Sequence, residues 1–305
     1  SVVFWRVNDS LWGGLLGYSG LSGTEQTLLK KYVNGGGSLF MSSMEVLSRM
    51  GTGASSLDFQ SNVLQVVSFN EDAGVSSMEG SPYDPVSSGI SVDFDYSNYD
   101  SDFWELIGQT TDVSDTLIIS TNAVPIYFDV SSGDIVGLKS PKFGQPTAGR
   151  VVFLSVPFDG IPKDNPPPNN RANILRNILS FLVPGAGGIG TISLDSSAYT
   201  IPSRIQIELS DSDLEGAGNV NVTAFTSSYT NGIVIKLNES VKPGRFFGSF
   251  IVSTNVSEDT LPAKNGDIIW VEYLDASANS ITRAVADIDT TPAIILDVEV
   301  ETDYE

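Results

Sequence analysis

Cysteine and histidine are both absent from this sequence. Histidine is the usual general base near neutral pH, and cysteine is the most nucleophilic side chain at that pH. The two residues also supply most protein ligands of zinc, copper and haem iron. Their absence excludes Ser-His-Asp and Cys-His catalysis and argues against soft-metal centres. It also excludes a disulfide framework, although it does not identify the compartment.

Basic side chains are scarce, since 16 Lys and Arg stand against 37 Asp and Glu and the net charge is −21. An anionic surface repels nucleic acid and anionic membrane surfaces, so no nucleic acid is expected as a partner. No apolar run approaches the ~20 residues that span a bilayer, so no membrane insertion is expected in this segment. Hydrophobic residues nevertheless make up 41% of the chain, which is enough for folded cores.

Residues 1–183 alternate between strand and helix patterns. Val2–Val7 and Ser38–Ser42 are apolar strand segments, and Arg171–Leu182 has an apolar face at helical spacing. Residues 52–115 are rich in Ser, Asp and Gly and are interpreted as an elaborated loop region that contains short strands. The strand–helix order predicts an α/β, flavodoxin-like domain built on a parallel sheet.

A glycine-rich linker, residues 184–190, separates this domain from one of different character. Over residues 191–289 the hydrophobic period changes to two, and Gly, Asn, Asp and Pro turns separate seven short strands. This pattern predicts an all-β domain, an Ig-like β-sandwich. Residues 290–305 are expected to begin a further domain or linker. Both termini have the pattern of strands cut from a longer polypeptide, so its neighbouring domains are expected partners.

The motif Leu-x-x-Tyr-Val-x-Gly-Gly-Gly-x-Leu-Phe lies within Leu28–Gly51, and a strongly apolar strand lies within Gly149–Phe158. Both resemble class I glutamine-amidotransferase-like domains, and the resemblance covers roughly residues 1–183. It implies that the nucleophile elbow of that family falls at Ser42 or Ser43. Active members have a cysteine there and a histidine downstream. The resemblance therefore implies a degenerate, inactive domain that also lacks the family's first strand–helix unit.

Acidic and aromatic residues are interleaved between positions 93 and 105. Sugar-binding clefts use this combination, because ring faces stack on sugar faces while carboxylates bind hydroxyl groups. The candidate ligand-binding residues are Asp93, Asp95, Tyr96, Tyr99 and Trp104. The alternative interpretation is a solvated acidic loop whose aromatic side chains anchor it to the core.

Asp211, Asp213 and Glu215 have the spacing of half a calcium loop. An EF-hand requires an acid at the twelfth position of the loop, where Val222 stands, so an EF-hand is excluded. A simpler calcium site at the edge of the sandwich remains one hypothesis, with these three acids as its ligands. The other is an acidic turn in which an aspartate caps its own backbone. No cofactor other than calcium is considered.

Three segments of the second domain resemble the Ig-like repeats of large bacterial and archaeal surface proteins: Ser203–Leu214, Lys242–Phe250 and Asn265–Asp275. This resemblance covers roughly residues 190–289 and implies an extracellular or cell-surface spacer or adhesion module. The expected function is therefore a non-enzymatic structural or interaction segment of a large secreted or cell-surface prokaryotic protein. Other surface proteins or glycans are candidate partners. The open alternatives are an accessory region of a secreted protease or glycoside-active hydrolase, a carbohydrate-binding module, and an extracellular filament or surface-layer subunit.

Overall fold

The computed structural model describes residues 1–7, 9, 20–82, 84–97, 111–141, 149–183, 190–255, 260–277 and 280–291. The protein is mostly β, with 42% strand and 17% helix. Within these residues the strands form two nine-stranded sheets. Both sheets are curled and mixed, so the prediction of a flavodoxin-like parallel sheet followed by an Ig-like sandwich is wrong.

The first sheet takes its strands from the N-terminal half of the chain. They are β1 (Val2–Arg6), β2 (Ser38–Ser42), β3 (Val66–Asn70), β4 (Ser77–Gly80), β5 (Ser91–Asp93), β6 (Thr116–Ile119), β7 (Val124–Asp129), β8 (Ile135–Ser140) and β9 (Val151–Leu154). Among the described residues of this sheet, only β1, β2 and β9 are paired in parallel. The sheet then continues antiparallel through β8, β7, β4 and β5, while β6 bonds to β8 and β3.

The antiparallel part explains why the predicted parallel sheet is wrong. The fully buried strands β2 and β9 have the continuous apolar character of a parallel sheet, and they are parallel. β7 and β8 are instead joined by a tight turn at residues 130–134, and a connection this short can join only antiparallel neighbours. The region interpreted as an elaborated loop supplies one helix and three strands, β3 to β5.

Four α-helices lie within the described residues: α1 (Gly23–Asn34), α2 (Val46–Arg49), α3 (Ala54–Asn62) and α4 (Arg171–Leu182). Successive residues of a strand face opposite sides of its sheet. Accordingly Phe153 of β9 packs in the same apolar cluster as Leu29 of α1, whereas Val152 packs with Ile174 of α4. The longest of these helices have 12 residues, and no described helix has the length and apolar character that a membrane crossing requires.

The second sheet contains the remaining nine strands. They are β10 (Thr191–Leu194), β11 (Ala198–Tyr199), β12 (Ser203–Ser210), β13 (Asn219–Thr226), β14 (Tyr229–Glu239), β15 (Arg245–Ser253), β16 (Thr260–Pro262), β17 (Ile268–Asp275) and β18 (Ser280–Ile288). Each of the seven segments predicted as strands from their alternation is a strand, and their inward residues share one apolar core.

The order of these strands is what the Ig-like prediction missed. They form one curled sheet in the order β10-β12-β15-β14-β13-β17-β18-β11, with β16 beside β15. An Ig-like sandwich would instead divide them between two face-to-face sheets. Period-two alternation determines which face of each strand is buried, but many strand orders satisfy the same alternation. The pairing partners therefore could not be predicted from the pattern.

Candidate functional site

The carboxyl ends of the parallel strands β1, β2 and β9 meet at one edge of the first sheet, where open α/β sheets bind their ligands. Ser42 is the last residue of β2 at this edge. Its hydroxyl donates to the carbonyl oxygen of Val156 over 2.8 Å and accepts from the backbone N–H of Phe158 over 2.8 Å. Both bonds tie the end of β2 to the loop after β9, so the Ser42 hydroxyl closes the edge structurally.

Ser43, the second predicted elbow residue, bonds to a carboxylate that the sequence did not reveal. Its hydroxyl donates to Asp9 Oδ1 over 2.5 Å, and the same oxygen accepts from the backbone N–H groups of Met44 and Glu45 at 3.1 and 3.3 Å. Burial raises the pKa of Asp9, and these three donors oppose the rise. With only 1% of Ser43 exposed, the pair caps a tight turn and does not present a nucleophile.

The residues predicted to bind a sugar divide between surface and interior. Asp93 and Asp95 are exposed, and the N–H of Ser97 donates to Asp95 Oδ1 over 2.9 Å. Hydrogen bonds from the side chain and then from the N–H of Ser97 lower the pKa of Asp95. The hydroxyl of Tyr96 instead points inward and donates to Val75 O over 2.6 Å. Its ring packs against a small buried cluster next to the elbow. This placement favours the interpretation of an acidic loop anchored by aromatic side chains.

Tyr99 and Trp104, the other two members of that predicted cluster, lie outside the described residues. Sugar binding by the cluster therefore stays a prediction.

Asp115 is a buried acid at the same edge, and the sequence did not single it out. It is 1% exposed, its Oδ1 accepts from the N–H of Asp72 over 3.2 Å, and its Oδ2 has no hydrogen-bond partner among the described residues. Ser155, just after β9, donates to its backbone carbonyl over 2.7 Å. Burial raises the pKa of Asp115 to about 8, and the charges of Glu45, Asp72 and Glu71 add to the rise. The carboxyl group is therefore mostly protonated at neutral pH.

The predicted calcium ligands make protein hydrogen bonds. Asp211 accepts from the hydroxyl of Tyr273 over 2.5 Å and from the N–H of Asp213 over 2.9 Å. Asp213 accepts from the hydroxyl of Ser277 over 2.6 Å, while Glu215 is exposed. Across the part of the chain that the structure describes, no group of three or more acids is placed to hold a metal ion. The acidic-turn hypothesis accounts for these bonds, and calcium binding stays a prediction.

Ser43→Ala is expected to lower the free energy of unfolding by about 1–3 kcal/mol, because it leaves a buried carboxylate with one donor fewer. Urea unfolding followed by circular dichroism measures the change. Ser61→Ala is the matched control, since this hydroxyl is exposed and bonds only within α3, to Leu57 O. Its effect should stay within about 0.5 kcal/mol. Equal stabilities of the two variants would contradict the capping role of Ser43.

A second buried polar group, which we name the junction triad, joins the two sheets and consists of Arg150, Glu208 and Arg245. Arg150 Nη2 lies 2.9 Å from Glu208 Oε1, and Arg245 Nη2 bonds to the same oxygen. Arg150 Nη1 also donates to the carbonyl oxygen of Phe181 in α4 over 2.9 Å. The three side chains belong to residues that are 8%, 7% and 4% exposed, in that order. The first sheet therefore contributes one cation, and the second contributes the carboxylate and the other cation.

The pKa of Arg150 is lowered to about 10: burial is the main cause, the charge of Glu208 opposes it, and the charge of Arg245 adds to it. The guanidinium therefore stays charged at neutral pH. The alternation of β12 does not reveal the triad. Ile205, Ile207 and Leu209 face the core of the second sheet, so Glu208 faces the opposite side, where solvent would be expected. Contact with the first sheet buries it.

No model of a known protein family matches the chain, and a search of the curated proteins finds no match either. The amidotransferase-like and Ig-like resemblances therefore stay predictions that rest on their motifs, and function has to be inferred from the contacts described above.

Proposed function

We propose that this chain is a non-enzymatic structural segment of a larger secreted or cell-surface prokaryotic protein, in which the two β-rich units form one rigid spacer. The junction triad is the observation that supports the proposal best. A flexible connection would leave the charges of both units in water. Here Glu208 of the second unit is 7% exposed and lies within hydrogen-bond distance of Arg150 from the first.

The energetics of buried ion pairs favour a geometric role for the triad. The free energy needed to remove the charges from water is about as large as the free energy gained from their attraction. Such a group therefore adds little net stability. Its directional bonds do restrict how two surfaces can meet. Arg150 contacts Glu208 in one unit and Phe181 O in its own, and both distances are 2.9 Å. A small rotation between the units would lengthen these bonds and leave a buried charge less well solvated.

Two further features support a non-enzymatic extracellular segment. The hydroxyls of Ser42 and Ser43 are used to close the turn after β2, so the amidotransferase-like elbow acts as a scaffold. The net charge of −21 keeps an exposed multidomain protein soluble and repels its copies from one another. Turnover of a hydrolase substrate panel that is lost in Ser43→Ala, with its fold intact, would overturn the non-enzymatic part of the proposal.

Distance measurements between the units test the rigid spacer. Because the chain has no cysteine, introduced pairs can be spin-labelled without background. Ser61→Cys in α3 and Asn221→Cys in β13 place exposed labels on the two units. Double electron–electron resonance is expected to give one narrow distance distribution for this pair. The pair Ser61→Cys and Ser88→Cys lies within the first unit, so it gives the width of the distance distribution that is expected for two labels on one rigid body. A distribution much broader than that control would refute the spacer.

A further inference from the structure

A cleft of about 270 Å³ lies between the two units, beside the junction triad. Its lining includes the triad and Ser210 as well as apolar side chains such as Phe181 and Ile192. This volume corresponds to roughly nine water molecules. The cleft can therefore hold a small organic molecule.

Ser210 is the residue that first points to a ligand. It ends β12 directly opposite Arg245 of β15 and is 2% exposed. Its Oγ has no hydrogen-bond partner among the described residues. Buried hydroxyl groups are nearly always hydrogen-bonded. Ser210 lines the cleft next to guanidinium groups, so its unpartnered hydroxyl is suited to donate to a bound anion once its side chain rotates toward the cleft.

The charges around Ser210 favour an anion of low charge. Two guanidiniums, those of Arg150 and Arg245, share the one carboxylate of Glu208. The excess of positive charge matches one carboxylate better than a phosphate dianion.

The remaining acids of the cleft are already engaged with other groups. Asp84 pairs with Lys139 over 2.6 Å. Asp195 accepts from the hydroxyl of Tyr199 over 2.7 Å and from the N–H of Gln206 over 2.9 Å. These two carboxylates therefore do not compete for the guanidiniums of the triad, although they disfavour a ligand with several negative charges.

We propose that the cleft binds a small monocarboxylate, an organic acid with a compact ring or apolar body. Its carboxylate would accept from Ser210 Oγ and lie against the guanidiniums of Arg150 and Arg245, whose planar donors suit carboxylate oxygens. Its body would pack against Phe181 and Ile192. The proposal goes beyond the spacer function and does not depend on it, because an enzyme or a binding module could use the same cleft.

Isothermal titration calorimetry with small probes tests the proposal. D-galacturonate represents a sugar acid, and lactate represents a short hydroxy acid. D-galactose is the neutral control for galacturonate, because it lacks the carboxylate. We expect saturable binding of at least one acid and none of galactose. Ser210→Ala should weaken that binding roughly three- to tenfold. Ser180→Ala is the matched control, since Ser180 lines the same cleft but its hydroxyl already donates to Asn177 O over 2.7 Å; its affinity should equal that of the wild type.

The variant should fold, because removing an unpartnered buried hydroxyl does not break a bond, and its melting temperature without ligand verifies this. If galacturonate binds and lactate does not, the ligand class is a sugar acid. If lactate binds, with or without galacturonate, the carboxylate is sufficient for recognition and the ring is not required. Three results would overturn the proposal. They are no binding of either acid at millimolar concentration, equal affinity of Ser210→Ala and wild type, and inorganic phosphate binding more tightly than both acids.

Discussion

Glu208→Gln is expected to lower the free energy of unfolding by about 3–5 kcal/mol, the usual effect of removing one member of a buried ion pair. Glutamine keeps the size and most of the shape of the side chain, so packing changes little. The buried guanidiniums of Arg150 and Arg245 lose the carboxylate that they share. Urea unfolding, followed by both fluorescence and circular dichroism, measures the loss and shows whether the two units still unfold together.

A second Glu→Gln substitution in the same sheet provides the control. Glu272 of β17 pairs with Arg283 of β18 over 2.7 Å, but the side chain of Arg283 is 60% exposed. Exposed pairs contribute about 0–1 kcal/mol because water and salt screen them. Glu272→Gln should therefore change stability by no more than that. Similar losses for the two variants would contradict burial as the cause.

A triple variant separates stability from geometry. Arg150→Met, Glu208→Leu and Arg245→Met together leave no charge buried at the junction, and such replacements are often neutral or stabilising. We therefore expect the triple variant to recover most of the stability that Glu208→Gln loses. Apolar contacts lack direction, so the spin-label distance distribution between the units should broaden. A narrow distribution in this variant would show that contacts other than the triad fix the arrangement.

The triad also shows how far sequence reasoning extends in this protein. The alternation in β12 is enough to predict a strand with Ile205, Ile207 and Leu209 facing a core, and the structure confirms it. The same alternation predicts that Glu208 is exposed. Its burial depends on Arg150, which lies 58 positions away and directly precedes β9 of the other sheet. The alternation of apolar and polar residues within one strand does not predict a contact with a residue so distant in the sequence.

The elbow shows the same division between local and distant information. The apolar strand ending at Ser42 could be predicted from composition and spacing, and β2 ends there. The partners of the turn could not. Asp9 bonds to Ser43 from 34 positions away. Asp115 precedes β6, a strand whose antiparallel placement beside β8 was not predictable from its own residues.

Asp115→Asn is expected to remove a large pH dependence of stability. The pKa of Asp115 is about 8 in the folded protein and near its ordinary value of 3.8 in the unfolded chain. Below pH 4 both states hold the proton, and the full stability is present. Between pH 4 and 8 the folded state binds more protons than the unfolded state. The free energy of unfolding therefore falls by up to ~1.4 kcal/mol for each unit by which the pH rises. Above pH 8 that contribution is lost.

Asparagine stays neutral at every pH and can still accept the hydrogen bond from the N–H of Asp72. The variant should therefore equal the wild type near pH 4 and be more stable near pH 8, by up to roughly 5 kcal/mol. Urea unfolding at pH 4, 6 and 8 measures the difference between the two proteins, which cancels the titration of their shared groups. Asp134→Asn is the control, because Asp134 is exposed and its replacement should change the free energy of unfolding by no more than about 0.5 kcal/mol. A wild-type-minus-variant difference that stays constant from pH 4 to 8 would contradict a buried, protonated Asp115, and an ordinary carboxylate held by the N–H of Asp72 would then explain this edge of the sheet.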